Sequence, residues 1–212
     1  MKKLLKIMTV GLFCAVSLVA NAETGESSLT KSHQAWASFR LCYDVCVWRA
    51  TTANDSMKSA FHLDFFDDGY YEIGMFIYDI PISAIKLWNK TSDRIRVDVR
   101  VDRKTLYTYD IDRTLDKPTR TLYFKLPAKY LGSKFIKELT SGKTLRIRTH
   151  VNDEATITSF KLNGATDAIK RAEVESERQQ RKDNFSSEQK KKDESYFENN
   201  NSNDSNDDTT YF

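Results

Sequence analysis

Cysteine, histidine and carboxylate groups are the side chains best able to bind metals, attack substrates or move protons. In this chain of 212 residues they are scattered. His33, His62 and His150 have no ligand spacing. Cys42 and Cys46 form a C-x3-C pair, which is not the redox C-x-x-C and has no further metal ligands nearby. The carboxylate pairs Asp67/Asp68 and Asp98/Asp102 invite a glycosidase reading. A same-face pair at i,i+4 on a strand, however, is about 13 Å apart, too wide even for an inverting enzyme. Asp64, Asp67, Asp68 and Glu72 lack the spacing of a calcium loop and read as turn residues. There is no G-x-S-x-G elbow and no glycine-rich phosphate cradle. The expectation is a protein with no catalytic residues, no metal and no cofactor.

Positive charge is more ordered. Arg94, Arg96 and Arg100 share the polar face of one alternating segment, and Arg146, Arg148 and His150 share that of another. If the two segments are neighbouring strands, these six residues make a cationic patch. It would suit an acidic partner, lipopolysaccharide phosphate or peptidoglycan carboxylates. The alternative is a solvated sheet face on which Asp98 and Asp102 pair the arginines. The aromatics Trp36, Tyr43, Trp48, Tyr70, Tyr71, Phe76, Tyr78 and Trp88 would need exposure to act as a carbohydrate or peptide platform; core packing is the expectation.

The elements that must position these groups are mostly short strands. Residues 35–48 read as extended, 51–58 as a loop, and Phe61 to Phe65 as a half-buried strand by its alternation. Asp67-Asp68-Gly69 is a hairpin turn leading to a central strand from Tyr70 to Tyr78. Pro81 breaks the chain, and Ile82 to Trp88 is a short apolar segment. Arg94 to Asp102 is the clearest strand, with Ile95, Val97, Val99 and Val101 on one face. Strands follow at Thr105–Ile111 and Thr119–Leu126, around the turn Asp116-Lys117-Pro118. Leu131, Phe135, Ile136 and Leu139 then take helical spacing, and Gly142 suits the helix stop. Alternation returns at Lys143–Val151, with a turn at Asn152-Asp153. In the last strand, Ala155–Leu162, Ile157 and Phe160 differ in parity, which suggests a bulge. The expected fold is all-β, an antiparallel β-sandwich with one short helix over residues 35–171. A charged tail over 172–212 follows. Its first part suits a solvated helix, with Glu177 and Arg181 as an i,i+4 pair, and its end is an Asn/Asp/Ser run expected to be disordered.

The N-terminus carries an address. Lys2, Lys3 and Lys6 precede the uncharged apolar run Ile7–Ala20, and Ala20-Asn21-Ala22 is a small-x-small cleavage pattern. Residues 1–22 therefore read as a secretory signal peptide, too short for a membrane span, with a polar lead-in over 23–34. The expected location is the periplasm, with further export open. The leader holds three lysines and no acid, so the chain's 33 basic and 30 acidic residues become 30 of each without it. That balance argues against nucleic-acid binding. In an oxidising compartment Cys42 and Cys46 are expected to bond through a tight turn at Tyr43-Asp44-Val45 or a helical turn. Free buried thiols and pairing with another chain are the alternatives.

Residues 133–170 resemble a known ending. Phe135-Ile136-Lys137-Glu138-Leu139, Gly142-Lys143-Thr144-Leu145-Arg146-Ile147-Arg148, Phe160-Lys161-Leu162-Asn163-Gly164 and Ala168-Ile169 are similar to the end of the invasion-associated locus B family. Periplasmic type VI secretion accessory proteins end in a like way. The resemblance implies a secreted β-sandwich with a non-catalytic accessory role, engaging an envelope or secretion-machine protein. It supplies no catalytic residue. A module binding anionic glycan or lipopolysaccharide through the arginine face is the second reading.

Overall fold

The computed structural model describes residues 26–88, 93–151 and 154–201. Ten strands form one antiparallel ladder: β1 (Glu26–His33), β2 (Trp36–Cys42), β3 (Cys46–Ala53), β4 (Ser59–Phe65), β5 (Tyr71–Ile77), β6 (Arg94–Val101), β7 (Leu106–Asp116), β8 (Thr121–Leu126), β9 (Thr144–Val151) and β10 (Glu154–Lys161). Their spatial order is β1-β2-β3-β4-β5-β8-β7-β6-β9-β10. β7 joins two layers. Its first residues, Leu106–Asp112, pair with β6, and its last, Arg113–Asp116, pair with β8. The ladder thus folds over itself into a sandwich-like body. Trp36, Phe61, Met75 and Phe124 of the larger layer meet Val97, Val99, Ile147 and Phe160 of the smaller one in one core.

Among the described residues three helices accompany the sheet: α1 (Ile82–Trp88), α2 (Ala128–Ser141) and α3 (Ala165–Asn201). α2 is the helix expected from its spacing, and it buries Leu131, Phe135 and Leu139. Gly132 interrupts it at φ 60, a left-handed conformation that glycine adopts without steric cost. Gly142 ends it in extended geometry. A Cβ there would overlap Val101 and the Glu138 carbonyl, so close packing is what requires glycine.

Several segments depart from the sequence expectation. The polar lead-in contains β1, which pairs with β2 through its backbone while nearly every side chain stays exposed. Residues 51–53 belong to β3, and the loop begins at Asn54. β4 is buried on both faces rather than one. Residues 82–88 are helical. β10 has no bulge: it pairs with β9 in unbroken register, and Ile157 simply points outward at 56% exposed. α3 is one 37-residue helix that runs across position 171. Its stripe Ala165, Ala168, Ile169, Ala172 and Ser176 is buried against the larger layer. Small residues and a start upstream of 172 concealed that stripe.

The turn expected at Asp67-Asp68-Gly69 is present. Gly69 sits at φ 82, with its N–H donating to Phe66 O at 3.1 Å, and Asp68 accepts from the Tyr70 N–H at 2.9 Å. The expected signal peptide, the expected Asn152-Asp153 turn, the side chain of Trp88 and residues 202–212 lie outside the described residues. No described helix is long and apolar enough to cross a membrane.

Candidate functional site

The two arginine-bearing strands are neighbours. Antiparallel pairing sets Arg96 opposite His150, Asp98 opposite Arg148, and Arg100 opposite Arg146. Flanking strands complete rows across the outer face of the smaller layer. One row runs Leu106–Arg100–Arg146–Ser159, the next Thr108–Asp98–Arg148–Ile157, the third Asp110–Arg96–His150–Ala155. The core residues between them alternate inward, so register alone assembles this face. All six sequence candidates, Arg94, Arg96, Arg100, Arg146, Arg148 and His150, lie on it.

Asp98 is the centre of the patch. It accepts from Thr108 Oγ1 at 2.8 Å and from His150 Nε2 at 2.9 Å, with Arg148 and Arg96 at 3.7 and 3.9 Å. Burial disfavours its charge. The bonds from His150 and Thr108, with the charges of His150 and Arg96, outweigh that and hold its carboxyl below the usual aspartate value. Arg94 bonds Asp110 O and faces Asp112. Arg100 donates to the Lys104 and Arg103 carbonyls, not to a carboxylate. Among the described residues Arg146 has no ion-pair partner. Asp102, expected to pair an arginine, instead accepts the Lys143 and Thr144 backbone N–H groups at 2.9 and 3.0 Å. It ties β9 to the end of β6. Two exposed apolar side chains border the arginines, Leu106 at 58% and Ile157 at 56%.

The remaining sequence candidates are elsewhere. Cys42 and Cys46 are disulfide-bonded across the β2–β3 turn, with Cα atoms 4.0 Å apart. Tyr43-Asp44-Val45 make the tight turn, as the bond required. Trp36 and Trp48 are core residues, whereas Tyr43 and Tyr70 are exposed.

The sequence reading missed one buried polar cluster. Arg49 on β3 makes a bidentate pair with Asp64 on β4, at 2.6 and 2.7 Å. Burial opposes charge on both, but each holds the other ionised: Arg49 keeps Asp64 below the carboxylate range, and Asp64 keeps Arg49 above its usual value. His62 lies beside them with neither ring nitrogen hydrogen-bonded. Burial foremost, then the Arg49 charge, lowers its pKa to about 3, so the ring is neutral. It stacks on Phe76 and Tyr123 and lies over Gly74, where any Cβ would overlap it. The polar parity of His62 and Asp64 within β4 was the available signal.

Clefts open on the body among the described residues, and two of them have polar groups in their linings. One, of about 520 Å³, is lined by Glu72, Asp110, Asp112, Tyr123 and Lys125 among others; Glu72 is ion-paired to Lys125 there. The other, of about 470 Å³, lies between β10 and the end of β5. Among the described residues no three metal-binding side chains converge.

No protein-family model matches the chain, and no curated protein does. Among solved structures the fold is similar to the crystal structure of invasion associated protein B from Bartonella henselae. The two share 17% identity with a TM-score of 0.46, over 68% of this chain and 96% of that one.

Proposed function

We propose that this is a secreted, non-catalytic binding protein of the periplasm, directed there by residues 1–22. It engages an envelope or secretion-machine protein through the outer face of β7, β6, β9 and β10. One observation carries the reading: Arg96, Arg100, Arg146 and Arg148 stand in adjacent rows, bordered by exposed Leu106 and Ile157. Arginine beside exposed apolar side chains is the composition of protein interfaces, where it supplies many of the strongest contacts. Asp98, Asp110 and Asp112 offset much of the positive charge, which favours a mixed protein surface over a polyanion. The resemblance of residues 133–170 points the same way.

In-cell photocrosslinking from position 157 tests it. The expected result is one stoichiometric envelope protein, lost in Ile157→Asp and Arg146→Glu variants. An unchanged crosslinking pattern in both variants sinks the proposal.

A second reading rests on Arg146, which faces Arg100 with no carboxylate of its own. That pair suits an anionic glycan or a lipopolysaccharide phosphate. Binding of lipopolysaccharide that survives Ile157→Asp and is lost in Arg100→Glu/Arg146→Glu would favour it.

A further inference from the structure

Among the described residues the ladder has two free edges, one along β1 and one along β10. An unpaired edge is a template for another strand, and proteins usually guard it with a bulge, a charge or a proline. β1 is guarded. Its register shifts between Ser28 and Lys31, Leu29 stands at φ 56, and Glu26 and Lys31 carry charge. β10 is not. It pairs with β9 in unbroken register from Glu154 to Lys161, and its middle run Ala155-Thr156-Ile157-Thr158-Ser159 holds no charge and no proline. Ala155, Thr156, Ile157 and Ser159 are exposed.

Two bonds at the end of β10 fix the direction of its backbone groups. The Leu162 N–H donates to the Lys143 carbonyl, on the β9 side, at 3.0 Å. The Lys161 carbonyl points the other way and accepts from Trp36 Nε1 at 2.9 Å. In an antiparallel strand the N–H and C=O of one residue point to the same side, and the side reverses at each step. Phe160, Thr158 and Thr156 therefore bond β9, while Ser159, Ile157 and Ala155 aim both backbone groups at the free edge. Among the described residues no backbone hydrogen bond from outside the sheet reaches those three. Trp36 and the Lys161–Asp55 ion pair occupy the edge at its C-terminal end. Beyond them it opens on the cleft of about 470 Å³, lined by Thr156 and Thr158 on one side and by Ile77, Ile80 and Pro81 on the other.

We propose that the protein partner of the outer face of β7, β6, β9 and β10 lays an extended segment along Ala155–Ser159, as a further strand of this sheet. The inference rests on the function proposed above and deepens it. Ala155, Ile157 and Ser159 each offer one donor and one acceptor at strand spacing, a repeat that an extended polypeptide matches and a glycan or phosphate does not. A segment of about five residues spans the run. Alternation then splits its side chains between the two faces of the sheet. One set enters the cleft, where Thr156, Thr158, Ile77 and Ile80 suit apolar or hydroxyl-bearing side chains. The other set lies beside Ile157, on the face that carries Arg146 and Arg148, which favours acidic residues there.

Proline reads the backbone alone. Ala155→Pro/Ser159→Pro deletes two N–H groups that point to the free edge and none that bonds β9, a placement that edge strands tolerate. It keeps Ile157 and every arginine. In-cell photocrosslinking of the full chain from position 156 is expected to fall about tenfold or more in this variant, as for the loss of two backbone hydrogen bonds. Its thermal midpoint should stay close to that of the parent. An unchanged yield, with Arg146→Glu still abolishing the product, overturns strand addition and leaves the binding face standing. A second measurement leaves the backbone intact. Photocrosslinkers at positions 156 and 157, on opposite faces of β10, are expected to attach to neighbouring residues of one short segment of the same protein. Attachment sites scattered along that protein, or a product only with a second copy of this chain, also overturn the proposal.

Discussion

Asp98 lies opposite Arg148 in the β6–β9 ladder, yet its shorter bond runs to His150, 2.9 Å away and two pairs further along. The interaction depends on Asp98 remaining ionised. Its folded pKa is depressed, so the stability it contributes is present above the unfolded value near 3.8 and is lost as pH falls through the lower folded value. Asp98→Asn should therefore destabilise the protein at pH 7 by about 1–2 kcal/mol, as expected for weakening two hydrogen bonds to a charge. Urea titrations should show the difference shrinking below pH 4.

His62 sets a second acid window of the same sign. Folding holds its pKa at about 3 against 6.5 in the unfolded chain, so the unfolded state binds the extra proton between those values. Stability should fall as pH drops from 6.5 toward 3, with a slope of up to about 1.4 kcal/mol per pH unit. His62→Phe keeps the stacking on Phe76 and Tyr123 and removes two unbonded nitrogens. It should flatten that slope without lowering stability at pH 7. A variant that retains the full slope would show that His62 is not its source.

The Arg49–Asp64 pair is the costliest to halve. Arg49→Leu or Asp64→Leu alone strands a buried charge and should cost about 3–5 kcal/mol. The double replacement should cost much less than the sum of the two. Chemical denaturation of the four proteins in a double-mutant cycle measures the coupling.

The Cys42–Cys46 bond closes a very short loop. Chain-entropy arguments give about 2 kcal/mol for a ring of that size. Cys42→Ser/Cys46→Ser should lower stability by no more than that and leave crosslinking from position 157 unchanged. Loss of the crosslink would tie the hairpin tip to binding.

The legible parts of the fold were those with one wet and one dry face. β6 declared itself because Ile95, Val97, Val99 and Val101 alternate with charges, and the same contrast placed each arginine outward. That β6 adjoins β9 was not legible: β7, β8 and α2 intervene, and only the ladder unites them. β1 was missed because backbone bonds hold it while its side chains stay in water, so no apolar period marks it. α3 was only partly read, since its packed stripe is mostly alanine. β4 was misread as half-buried because its polar residues, His62 and Asp64, are dry as well. Alternation reports polarity, and along β4 polarity does not report exposure.

β7 hydrogen-bonds to β6 along its first half and to β8 along its second. The two layers are therefore a single ribbon creased once, with no linker between them to absorb strain. Neither layer can melt while the other keeps its edge intact, because the crease would leave half of β7 unpaired. The body should behave as one cooperative folding unit. A backbone cut between Asp112 and Arg113 would sever the two layers along the crease that joins them.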